Sequence, residues 1–183
     1  MVPLLVLVAV LVLVGGYVIV TYNGLVRLRN RIENGWSQVD VQLQRRYDLI
    51  PNLVETVKAY AADEESVFAQ VTQARAAAIG ATGPAEQAAA ENVLTGALRS
   101  VFAVAEAYPE LQANENFARL QEELAATEDK IAYARQFFND TVLAYNTKIQ
   151  TFPSLFVARS MGFTEREYFE VAEGGRGNVK VDL

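Results

Sequence analysis

Two stretches of this sequence hold residue types able to do chemistry. Arg45, Arg46, Tyr47 and Asp48 stand just before Pro51 and Asn52. Arg46 and Asp48 could order a kink around Asn52 that binds an anion or a partner. The plainer expectation is a helix end with solvated charges, because charged groups at kinks and caps are commonly structural. Glu128, Arg135, Asn139 and Asn146 are spaced by seven, four and seven. That spacing aligns them on one side of a helix. They would form a polar ladder setting helix register, as isolated polar residues do in coiled coils.

Catalysis has few means here. The chain has no Cys and no His. Thiol nucleophiles, zinc–thiolate sites, Ser-His-Asp triads and His-ligated metals are therefore excluded. Only carboxylates, Lys148 or tyrosines remain for a hydrolase, and no motif organises them. Glu122–Glu123 and Glu128–Asp129 are sequence neighbours, so each pair points to different helix faces and does not chelate alone. A solvated face is expected for both. Gly174, Gly175, Arg176 and Gly177 resemble a phosphate loop only superficially, since no strand precedes them. The reading is a non-enzymatic protein without cofactor or metal.

The elements that position these residues begin with an anchor. Residues 2–20 carry no charge and reach roughly 28 Å as a helix, close to the hydrocarbon thickness of a bilayer. Tyr17 and Tyr22 suit the headgroup level. A cleaved signal peptide would want a basic n-region and a small-x-small cleavage site, and neither is present. Arg27, Arg29 and Arg31 follow the span directly, so the body is expected inside, with the N-terminus outside. The same arginines are candidates for lipid-headgroup contact. The plainer alternative is the solvated face of a helix. Residues 47–183 carry a net charge of −9, which argues against a nucleic-acid partner.

Beyond the anchor the periodicity is helical. Leu25, Leu28, Ile32, Trp36, Val39, Leu43, Ile50, Val54, Val57 and Ala61 make a near-heptad stripe, with Arg46 and Tyr47 filling the step after Leu43. Pro51 predicts a kink or break at residues 49–51 and is a candidate hinge. Gly80 suits a left-handed cap and Pro84 a helix start. A helix follows to about Tyr108, with a seam through Leu94, Leu98, Val101 and Ala105. Asn114 is expected to cap the last long helix. Its seam runs through Phe117, Leu120, Leu124, Thr127, Ile131, Ala134, Phe138, Thr141, Tyr145, Ile149 and Phe152. Thr164 and Glu167 suggest a capping box for one final small helix.

The expected fold is all-α: a transmembrane helix (1–22), an elongated antiparallel three- to four-helix bundle (23–170) and a flexible tail (171–183). Residues 179–183 alternate like a strand, so Val181 and Leu183 are candidates for C-terminal peptide recognition by a protein partner, or for pairing between copies. A frayed end is the alternative.

Several blocks carry a family resemblance. They are TYNGLVRLRNRIENGWSQVDVQLQRRYDLIPNLV (21–54), AEAYPELQANENF (105–117), LQEELAATE (120–128), IAYARQFFNDTVLAYN (131–146), IQTFPS (149–154) and the terminal VKVDL. In that order they resemble the LemA family over nearly the whole chain, with Leu183 where an aromatic is common. The resemblance implies a bacterial single-span membrane protein with a helical cytoplasmic body. It brings no established catalytic residues. The function expected is a self-assembling scaffold or partner-binding protein. The alternatives are a signalling or sensing subunit, hinged at Pro51 and coupled to a membrane kinase or protease, and a carboxylate-based hydrolase.

Overall fold

The computed structural model describes residues 1–170. Six helices follow in order: α1 (Val2–Lys58), α2 (Glu65–Gly80), α3 (Pro84–Glu106), α4 (Pro109–Gln112), α5 (Glu115–Gln150) and α6 (Ser154–Ser160). The described residues contain no strand, and the fold is all-α. Val181, Leu183 and the glycine-rich run at 174–177 lie outside the described residues. The chain divides into two compact units, one of Met1–Val39 and Tyr133–Tyr168, the other including Asp40–Ala132 and Phe169.

In the first unit α1 begins with the apolar segment. Its large side chains from Val2 to Val14 are exposed, as are Ile19 and Val20. Among the described residues one helix is long and apolar enough to cross a membrane, and this is it. The same helix continues without a linker into a packed stretch where Leu25, Ile32 and Val39 are buried. The C-terminal half of α5 packs against it, burying Ala134, Phe138, Val142, Tyr145 and Ile149. Trp36 and Phe138 stack at 5.4 Å between ring centroids. At Gly35 the approach is close: a Cβ there would stand 3.5 Å from the Phe138 Cα.

The second unit is a four-helix bundle of the end of α1, α2, α3 and the start of α5. Leu43, Ile50, Leu53 and Val57 of α1, Val71 and Ala78 of α2, Leu94 and Val101 of α3, and Phe117 and Leu124 of α5 are all buried in it. Asn114 caps α5 as expected, its Oδ1 accepting from the amides of Asn116 and Phe117. Every residue of the α5 seam is buried except Phe152.

Three local expectations are corrected. Of the kink or break expected at residues 49–51, the break does not occur: the helix runs through Pro51 and ends at Lys58. There the Val57 carbonyl accepts from both Tyr60 and Ala61, which tightens the last turn, and Ala61 is buried. The left-handed glycine is Gly83, at φ +81°, not Gly80, which is still helical. The short helix lies at Ser154–Ser160, while residues 163–170 are not helical. The reason is that α5 side chains take up the backbone groups a helix would use. Tyr145 donates to the Thr164 carbonyl at 3.0 Å, and Asn146 both donates to and accepts from the Arg166 backbone at 2.9 Å. Helix α3 starts at Pro84 as expected and ends at Glu106, close to the expected Tyr108, and Pro109 opens the short helix α4.

Candidate functional site

The polar centre of the second unit forms where two helical seams each carry the wrong kind of residue. Counting back from Leu94 in steps of three and four, the α3 seam reaches Glu91 and Gln87, and both are buried. The step after Leu43 on α1 places Arg46 and Tyr47 inside in the same way. A buried charge must be paired and hydrogen-bonded, and these four residues satisfy one another. Arg46 is 5% exposed and Glu91 is 4% exposed. Arg46 Nη1 donates to Glu91 Oε2 at 3.0 Å, and Nη2 to Thr95 Oγ1 at 2.9 Å. The Tyr47 hydroxyl donates to Glu91 Oε1. Gln87 Nε2 donates to the Tyr47 hydroxyl at 2.8 Å and to the Ala78 carbonyl at 3.0 Å. The Glu91 carboxylate thereby joins α1 to α3, and the Gln87 amide ties in α2.

Glu128 of α5 completes the group. Its carboxylate lies 3.0 Å from Arg46 Nη1, with its side chain 53% exposed. It stands at the mouth of a cleft of about 370 Å³ between α3 and α5. Arg46 and Arg99 bring guanidinium groups to this cleft, and Leu98, Phe102 and Leu124 give it apolar walls.

Pro51 has a local consequence here. Proline removes the amide that would bond to the carbonyl four residues earlier, which is that of Tyr47. Arg75 Nε of α2 donates to that carbonyl at 2.8 Å. A guanidinium thus replaces the missing backbone donor, and α2 is fastened to α1 where the proline interrupts the ladder. Arg75→Ala is expected to destabilise the protein by about 1.5–3 kcal/mol, the range for a hydrogen bond from a charged group. In a Pro51→Ala background, where residue 51 again has an amide, the same change should cost less. Thermal unfolding of the four proteins of that cycle reads the difference. Equal costs in both backgrounds would contradict the link.

Burial sets the ionisation of the group. Desolvation holds the Glu91 carboxyl above its ordinary value, against the lowering effects of the Tyr47 and Gln87 hydrogen bonds and the Arg46 charge. A carboxyl raised in the folded state favours folding fully below its unfolded pKa, and that contribution is lost as pH rises through the folded value. Stability of the wild type relative to Glu91→Gln should therefore fall as pH rises from about 4 toward neutrality. Burial, followed by donation to Glu91 and its negative charge, also holds the Tyr47 phenol well above the usual tyrosine range. Folding stability should then fall above about pH 10, and less so in Tyr47→Phe. Absorbance at 295 nm followed beside unfolding checks this; ionisation of Tyr47 ahead of unfolding would contradict it.

The four polar residues expected to line one side of α5 have these places. Glu128 pairs with Arg46, and Asn146 holds the backbone of Arg166. Arg135 and Asn139 are half-buried. Asp48 accepts from Gln44 at 2.9 Å on the exposed face, and Asn52 is exposed. Of the charges at 45–48, Arg45 and Asp48 are exposed, but Arg46 is not; its position in the seam turns it inward. Arg27 is exposed, Arg29 lies 5.9 Å from the Phe163 ring, and Arg31 lies 5.0 Å from that of Phe137. Among the described residues no group of three or more acidic side chains is placed to hold a metal ion. Glu91 and Gln87 had a signal in the sequence, the backward extension of the α3 seam, which the first apolar seam residue, Leu94, concealed.

Comparison with known proteins places these features in a family. The LemA family profile matches residues 35–183. The chain is 27% identical to magnetosome protein MamQ of Magnetospirillum gryphiswaldense, with 84% of this chain and 66% of that protein covered. Magnetosome protein MamQ 1 of Paramagnetospirillum magneticum matches to the same extent. Protein LemA of Metamycoplasma hominis is 26% identical, with 86% of this chain and 72% of that protein covered. The chain thus spans just under two thirds of the length of the magnetosome proteins it matches. With its matched region taking in the whole four-helix bundle and all of α5, the chain belongs to the LemA family.

Proposed function

We propose that this protein is a membrane-anchored, non-enzymatic scaffold whose helical body binds partners or further copies beside the cytoplasmic face of the membrane. One observation carries the reading: the exposed apolar segment and the packed body share a single helix, with no linker between them. A lipid-spanning segment and a helix that organises side-chain packing are thus one rigid element. Arg27, Arg29 and Arg31 follow the apolar segment and favour a cytoplasmic body. Arg46, Tyr47, Gln87 and Glu91 of the second unit support a structural role, because each is taken up by another protein group. The seams support the reading differently from the expectation. They are buried within the chain, so association would use outward apolar side chains such as Val41, Val93, Tyr133 and Leu143.

Fractionation of a bacterial host expressing the full chain tests the anchor. The protein should stay with membranes through alkaline carbonate and leave only with detergent. Protease added to intact spheroplasts should spare the body. Release by carbonate would overturn the anchor, and cleavage of the body from outside would overturn the orientation.

A further inference from the structure

The turn between α5 and α6 exposes large apolar side chains that the body could have buried. Phe152 is 75% exposed, Phe156 64% and Met161 52%. The two phenyl rings meet edge to face, 5.9 Å between centroids. The rest of this segment faces inward: Ser154, Val157 and Ala158 are buried. Burying a side chain of this size contributes about 1.5–3 kcal/mol, so an apolar group of three held outward calls for an apolar surrounding.

Its position says which surrounding. Helices α1 and α5 run antiparallel in this unit. The Lys148 ammonium lies over Gly24, and the Phe138 Cα lies over Gly35. From Gly35 back to Val20, and from Phe138 on to Phe152, each chain rises roughly 21–23 Å if helical spacing is kept. Phe152 therefore stands level with Val20, where the exposed apolar run of α1 gives way to the packed stretch. Tyr22 at the same level packs edge to face on Phe163, which follows α6. Exposed Arg27 and Arg159 lie near this end. The exposed acids Glu165 and Glu167 belong to the segment that Tyr145 and Asn146 draw back along α5.

We propose that the α5–α6 turn is a second membrane contact, in which Phe152, Phe156 and Met161 enter the headgroup layer of the bilayer beside the exit of α1. The proposal rests on the membrane-anchored reading above. Aromatic rings favour this layer, and neighbouring cations favour anionic lipid. The body is then held to the bilayer at two points, and its tilt on the membrane is fixed.

The chain has no native cysteine, so single labels are direct. Full-length Phe156→Cys, Met161→Cys, Val10→Cys and Glu122→Cys, each carrying an environment-sensitive nitrobenzoxadiazole, go into vesicles of phosphatidylcholine and phosphatidylglycerol. Quenching lipids carry a nitroxide near the headgroup or deep in the acyl chain. Labels at 156 and 161 should emit to the blue of the label at 122 and be quenched more by the shallow nitroxide than by the deep one. The label at 10 should show the reverse depth preference. If 10 reads deep while 156 and 161 read like 122, the second contact is overturned and the anchor stands. If 10 also reads like 122, the anchor fails and the second contact with it. Met161→Cys keeps both phenyl rings, so a solvent-like signal from it cannot be blamed on the loss of Phe156.

Discussion

Arg46→Ala should destabilise the protein by about 3–5 kcal/mol, the cost of breaking a buried ion pair from one side. The change leaves Glu91, 4% exposed, without its cation, and Thr95 without the donor at 2.9 Å. Since the Arg46 charge lowers the Glu91 pKa, its removal lets that carboxyl take up a proton more readily. The loss should therefore be larger at pH 7 than at pH 5. The partner test is Arg46→Met with Glu91→Met. An apolar pair of similar volume is often neutral or stabilising relative to a buried ion pair, so the double variant should recover much of what Arg46→Met alone loses. Thermal unfolding in detergent micelles measures all of these. A double variant no better than the single would show that the pair is not acting as a unit.

Phe138→Ala should cost about 3–5 kcal/mol, the usual range for truncating a buried phenylalanine. Phe138 is fully buried, stacks on Trp36, and stands where α5 comes nearest to Gly35 of α1. Removing the ring leaves a cavity that the close helix pair cannot collapse into without moving its backbones. Phe152→Ala provides the contrast. Its ring touches Phe156 and is otherwise exposed, so its loss should barely change stability in micelles. Similar losses for the two variants would contradict the assignment of inside and outside on α5 and the turn that follows it.

The helical seams were legible because one rule, apolar residues every three or four positions, governs all of α5 from Phe117 to Ile149. The all-α class, the Asn114 cap and the start of α3 at Pro84 followed from the same local chemistry. What was not legible depends on partners distant in sequence. Pro51 has a strong local breaking tendency, yet the helix continues because Arg75 supplies a donor from another helix. The real stop after Lys58 has no Gly or Pro to mark it; residues 59–64 read AYAADE. Thr164 and Glu167 make a plausible box, but Tyr145 and Asn146 compete for the same backbone. The buried centre was half visible. Arg46 and Tyr47 were seen to occupy a seam position, while the residues that justify their burial, Glu91 and Gln87, lie about 40 positions on. Glu128 was visible as a polar residue beside the α5 seam, but its actual partner was not.

The measurement that bears most directly on a membrane-anchored scaffold is the mass of the full-length protein purified in detergent, by light scattering with the detergent contribution removed. The account predicts an assembly of several copies, which should shrink when Val41, Val93, Tyr133 and Leu143 are replaced by serine while helical content is unchanged. A single copy of about 20.1 kDa, monodisperse across a wide range of protein concentration, would contradict self-assembly.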